Sequence, residues 1–156
     1  MKQKMSISIV LALTLFLAVV GISVWAGPGR QGTVPTPPDE AILIAGETVT
    51  LGTVEITASV NGTVTRVKDP ETDIGPAPSG LSFLSDAIIV ELDEEGDVTV
   101  CYPYPKEVKD QDGGIYKWDE DAEEWVAVKG IVSGDPAKIC FTDKGITGGS
   151  YALIGG

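Results

Sequence analysis

The chain has 156 residues, with 23 acidic against 11 basic residues, two cysteines and no histidine. That length accommodates one domain of ordinary size. A formal charge of −12 argues against a nucleic-acid partner, whose phosphates require clustered Lys and Arg. The lack of histidine removes the commonest general base and the commonest transition-metal ligand together.

The N-terminus reads as an export leader. Lys2 and Lys4 form a short basic region, and Ile7 to Val24 is apolar except for Ser8, Thr14, Gly21 and Ser23. Val24-Trp25-Ala26 offers an acceptable residue at −3 and a small one at −1, which predicts a signal peptide over residues 1–26 with cleavage after Ala26. The apolar run of about 18 residues approaches the length of a membrane span, so an uncleaved N-terminal anchor is the alternative. No cysteine follows the run, which excludes a lipoprotein signal. Either way the rest of the chain is exported, and membrane contact is expected only through an uncleaved leader. The expected location is secreted, extracellular or in the cell envelope.

Residues 27–40, rich in Pro and Gly, read as an extended tether. Residues 41–156 then form the folded domain. Helical periodicity is almost absent there. Short runs rich in Val, Ile, Thr and aromatics are separated by Gly, Pro, Asn or Asp. The predicted strands are Ala41–Ala45, Thr48–Leu51, Val54–Val60, Thr63–Lys68, Leu81–Leu84, Ala87–Asp93, Asp97–Tyr102, Ile115–Asp119, Glu124–Val128, Lys138–Thr142 and Tyr151–Ile154. This spacing predicts an all-β fold, an antiparallel β-sandwich. A Gly-x-Val-Thr-like opening at Gly46, Gly62 and Gly96 recurs irregularly, which marks turns and not a solenoid.

Two hairpins can be placed in register. Asn61-Gly62 suits a two-residue type I′ loop that pairs Val60 with Thr63, Ala58 with Thr65 and Ile56 with Val67. Glu55 then lies across from Lys68, a favourable charge pair. Asn61-Gly62-Thr63 is also a glycosylation sequon. In the second hairpin, a Glu94-Glu95-Gly96 loop joins Ala87–Asp93 to Asp97–Tyr102, with Gly96 at a positive φ. Ile88, Val90, Leu92, Val98, Val100 and Tyr102 face the core, and Ile89, Glu91, Thr99 and Cys101 face the other way.

Cys101 alternates out of phase with Val98, Val100 and Tyr102, and Cys140 out of phase with Ile139 and Phe141. Two cysteines in an exported chain that break the core pattern in the same way predict a disulfide on the less apolar face. It closes a loop of about 39 residues, worth about 4 kcal/mol in the chain-entropy model. A nucleophilic thiol would have no histidine to activate it.

Tyr116, Trp118 and Trp125 flank the acidic turn Asp119–Glu124. They admit two readings: an aromatic platform for stacking on a sugar ring, or the core of a β-hairpin, since aromatics supply much of the buried area of small sandwiches. Asp110-Gln111-Asp112-Gly113-Gly114 resembles the opening of a calcium loop, with Asp110 and Asp112 as oxygen ligands. A strand begins at Ile115 where further ligands would be needed, so a solvated turn is the simpler reading. No other cofactor is expected. The acidic stretches Asp93–Asp97 and Asp119–Glu124 read as charged loops that discourage edge-to-edge aggregation. Carboxylates are plentiful, but nothing places two of them across a cleft, and no nucleophile elbow or phosphate loop is present. The expectation is a non-enzymatic protein.

The order Val98-Thr99-Val100-Cys101-Tyr102-Pro103, Ile115-Tyr116-Lys117-Trp118-Asp119, Glu124-Trp125-Val126, Ile139-Cys140-Phe141 and Gly149-Ser150-Tyr151-Ala152-Leu153-Ile154-Gly155 resembles small secreted bacterial β-sandwich modules. These are similar to immunoglobulin-like and netrin-receptor-type spacer sandwiches. The resemblance covers mainly residues 97–156. It implies a β-sandwich, a paired Cys101–Cys140 and an extracellular setting, and it carries no catalytic residues. The expected role is structural or adhesive, at the cell surface or in the extracellular matrix. One alternative is a carbohydrate-binding module using Tyr116, Trp118 and Trp125. Another is a self-associating filament subunit, in which Ala41–Ala45 adds to a neighbour's sheet.

Overall fold

A computed structural model describes residues 38–104, 113–134 and 136–156. The predicted leader and nearly all of the tether lie outside the described residues. Among those described, the chain forms β1 (Glu40–Leu43), β2 (Thr48–Leu51), β3 (Val54–Ala58), β4 (Gly62–Val67), a one-turn helix α1 (Pro70–Asp73), β5 (Ser82–Phe83), β6 (Ala87–Pro103), β7 (Gly114–Asp119), β8 (Glu124–Ala127), β9 (Ile131–Ser133) and β10 (Lys138–Gly155). The fold is all-β, and the ten strands belong to one antiparallel sheet.

Two long strands form its spine. β6 has 17 residues and β10 has 18. They pair from Pro103↔Lys138 to Ile88↔Tyr151, with register shifts on either side of Ile146. At one end, Val98–Cys101 of β6 pairs with β3, which pairs with β2, while Lys138–Cys140 of β10 pairs with β9. At the other end, Ala87–Leu92 pairs with β4, which pairs with β1. There β10 pairs with β5 and with β7, and β7 pairs with β8.

Both ends of the spine supply one apolar cluster. Ile88 and Val90 come from one half of β6 and Val98, Val100 and Tyr102 from the other, joined by Leu43, Leu51, Ile56, Ile115 and Leu153. Full burial of each such aliphatic side chain is worth about 1.5–3 kcal/mol. The hydroxyl of Tyr102, sunk in this cluster, donates to the carbonyl of Tyr151 at 2.8 Å, which satisfies its polar tip. A second cluster lies on the opposite face of β6, as strand alternation requires. It joins Val67, Ala87, Tyr116, Trp125, Ala152 and Ile154 to Ile74, Leu81 and Phe83 from the segment after α1. That helix starts at Asp69, whose carboxylate accepts from the Thr72 amide, with Pro70 in its first turn.

The two predicted hairpins do not form. β3 and β4 follow one another along the same flank of β6 and pair with it, not with each other. A type I′ turn needs positive φ at both central residues, and neither Asn61 nor Gly62 has it. Gly62 is needed for close approach instead: a Cβ there would sit 2.2 Å from the Glu91 carbonyl oxygen. Glu55 consequently pairs with Lys138, and Lys68 with Asp39. Likewise Glu94-Glu95-Gly96 is part of continuous β6, and Gly96 has no positive φ. A Cβ on Gly96 would meet Val60 at 2.6 Å. The crossing chain is tied down there: the Asp93 amide donates to the Asn61 carbonyl, the Ser59 amide to the Asp97 carbonyl, and the Asp97 amide to the Ser59 hydroxyl. The face assignments along β6 nevertheless agree with the prediction, because one continuous strand and a hairpin give the same alternation here. β10 similarly merges two predicted strands, and β9 was not predicted.

Candidate functional site

The cysteines sit directly opposite one another. Strand alternation turns Val98, Val100 and Tyr102 inward and leaves Cys101 half-buried on the other face. The β6–β10 register brings Cys140 across from it, with Cα atoms 4.1 Å apart, and the two form a disulfide. Threonines line up beside the bridge. Thr48, Thr57, Thr99 and Thr142 occupy successive cross-strand positions on β2, β3, β6 and β10. Their hydroxyls bond at 2.7 Å between Thr48 and Thr57 and at 2.8 Å between Thr99 and Thr142. Such pairs each contribute a few tenths of a kcal/mol to a sheet.

The aromatic triad is mostly core. Tyr116 and Trp125 are buried at 8% and 5% exposure, so neither offers an open face to a ligand. Trp125 stands edge-on to Phe83 and Trp118, and its indole N–H donates to the Gly75 carbonyl at 3.0 Å. A three-ring platform is therefore absent, because two of the rings are buried, Trp125 against Phe83 and Gly75 of the segment after α1. Trp118 alone remains half-exposed. A Cβ on Gly75 would fall 2.3 Å from its ring, so the glycine lets the indole lie against bare backbone.

Trp118 borders an open cleft of about 690 Å³, lined also by Ile89, Glu91, Lys117, Glu120, Gly149 and Ser150, among others. Its origin is topological. β7 pairs with β10 only from Tyr151↔Lys117 onward, and the preceding residues of β10, Thr147–Ser150, stand across the gap from Trp118–Glu120. The cleft was not legible in the sequence, because its walls come from four strands, β6, β7, β8 and β10, that only the fold brings together.

A part-buried polar relay adjoins the cleft. The Tyr151 hydroxyl donates to Asp143 Oδ2 at 2.9 Å, and Lys117 Nζ pairs with the same oxygen at 2.7 Å. Burial, and then the hydrogen bond to the Asp143 carboxylate and its charge, hold the Tyr151 phenol far above its usual range. Burial, reinforced by Tyr151 and Asp86, does the same for Tyr102. Both phenols are thus fixed as neutral hydrogen-bond donors.

The acidic turn has a local explanation. Asp119 Oδ1 accepts from the amides of Asp121 and Ala122, an arrangement that stabilises the β7–β8 connection. Asp110 and Asp112 lie outside the described residues. Among the described residues, no group of three carboxylate or thiol side chains is placed to hold a metal ion, and no helix is long and apolar enough to cross a membrane. Compared with known proteins, the chain matches no family model, no curated protein and no solved structure.

Proposed function

We propose that the chain is an exported, non-enzymatic structural or adhesive module whose antiparallel sheet packs as an immunoglobulin-like sandwich. The observation that carries this reading is the Cys101–Cys140 bridge across the two longest strands. A disulfide persists in oxidising compartments and is rare where thiols are kept reduced. The basic and apolar leader of residues 1–26 supplies the route to such a compartment. The acidic exterior favours soluble display and weak attraction for cationic partners. The test is to express the whole chain in a bacterial host and to fractionate the cells. The reading expects export with a new N-terminus at Gly27, or retention at the membrane through the leader. Accumulation in the cytosol with the leader intact and both thiols free would overturn it.

A second reading, self-association by strand addition, is favoured by one observation. β1 ends the sheet path, with β4 as its described partner, and carries Ile42 at 74% exposure, with Ile44 beyond it at 50%. An edge strand with exposed apolar side chains is a template for another chain. Sedimentation should then show a mass that grows with concentration and falls to the monomer in Ile42→Lys. A monomer at all concentrations rejects this reading.

A further inference from the structure

The cleft beside Trp118 lies where β7 leaves β10, and its lining comes from β6, β7, β8 and β10, with Glu120 of the β7–β8 turn and Val128 after β8. Ligand clefts of about 300–1,000 Å³ are typical for small organic molecules, and this one falls within that range at about 690 Å³.

Its chemistry is one fixed aromatic ring surrounded by hydrogen-bond acceptors. Trp118 is held edge-on against Trp125, with centroids 5.4 Å apart, and against the backbone at Gly75. A ring immobilised in advance loses little freedom when a ligand docks on it. Around it stand the exposed carboxylates of Glu91 and Glu120 and the hydroxyl of Ser150. Of the described residues lining the cleft, the only cation is Lys117, and its ammonium is engaged by Asp143. Among the described residues, the cleft thus presents acceptors and negative charge with no free positive group.

We propose that this cleft binds a neutral oligosaccharide. One pyranose ring lies with its C–H face against Trp118, and its hydroxyls donate to Glu91 and Glu120. A sugar ring combines an apolar face with a rim of hydroxyl donors, which matches one aromatic wall flanked by carboxylates. Hydrogen bonds to ionised acceptors are roughly twice as strong as neutral ones. The same carboxylates repel uronic or sulfated glycans. The inference deepens the reading of the chain as an adhesive module and rests on it only for where the sugar is met. Export is tested by the new N-terminus, and the cleft by titration of the purified protein.

The experiment follows tryptophan fluorescence and heat during titration with neutral fragments of β-1,4-glucan, α-1,4-glucan and chitin, and with oligogalacturonate. The expected result is saturable binding of at least one neutral series and none of the acidic one. Trp118→Ala should abolish binding. Glu91→Ala, at an exposed side chain outside both apolar clusters, should weaken it at least about tenfold while leaving the circular dichroism unchanged. The proposal is overturned by no saturation with any neutral series at millimolar concentration, by binding indifferent to Glu91→Ala, or by preference for oligogalacturonate. Binding of a Lys-rich peptide in place of sugar, lost on adding salt, would assign the cleft to a cationic partner and also overturn it.

Discussion

Removing the Cys101–Cys140 bridge is the perturbation whose effect can best be worked out in advance. Both sulfurs lie on the half-buried face of paired strands, so a double Cys101→Ala, Cys140→Ala replacement opens no cavity in the main apolar cluster. Its effect falls chiefly on the unfolded chain, which regains the freedom of a loop closed over a separation of 39 residues. The chain-entropy relation gives about 13 cal/mol/K for that loop, or about 4 kcal/mol at room temperature. A domain of about 120 residues unfolds with an entropy near 250 cal/mol/K, so each kcal/mol moves Tm by about 4 °C. The double variant should therefore melt about 15 °C below the oxidised protein by circular dichroism, and reductant should bring the parent protein down by a similar amount. A shift under about 3 °C would mean that the unfolded ensemble is already restrained near these residues, and would refute the entropic argument.

Glycine positions separate close approach from turn geometry. Gly62→Ala places a methyl 2.2 Å from the Glu91 carbonyl oxygen and should lose about 2–3 kcal/mol in urea unfolding. Gly46→Ala, with open space but φ at +78°, should lose only about 1 kcal/mol. A reversed order would contradict the close backbone approach at Gly62. Alkaline stability follows from the two neutral phenols, whose folded pKa values are raised. The stability they contribute is fully present below the unfolded tyrosine value near 10 and is lost as pH rises above it toward the folded values. Tm should hold level to about pH 9.5 and then fall, with Tyr102 alone contributing a slope of up to about 1.4 kcal/mol per pH unit. Tyrosinate absorbance from Tyr102 and Tyr151 should appear only together with unfolding; its appearance in the folded protein would contradict their burial.

The alternation of buried and exposed residues was readable because it is local. Ile88, Val90, Val98, Val100 and Tyr102 announce an inward face at period two, and the phase of Cys101 and Cys140 placed their bond on the other face. The connectivity was not readable. Glycine at Asn61-Gly62 and at Gly96 signals a turn when it supplies positive φ, but the same residue also admits a crossing backbone or side chain, and only the tertiary fold decides which. Asn61 and Ser59 hold the crossing through bonds to Asp93 and Asp97, more than 30 positions away, which leave no periodic trace. In the sequence Trp125 favours a core reading without excluding a binding platform, because the residues that bury it, Phe83 and Gly75, lie some 40–50 positions upstream. The cleft escaped notice for the same reason: Glu91, Trp118 and Ser150 meet only once β6, β7 and β10 are assembled.

The central claim is that β6 and β10 run side by side along their length and are covalently joined; the proposed export places that bond outside the cytosol. The most direct measurement is peptide mapping of exported protein digested without reductant. The account predicts a single linked pair of peptides, one containing Cys101 and the other Cys140, which separates on reduction. Two free thiols, or a bond between cysteines of different molecules, would contradict it.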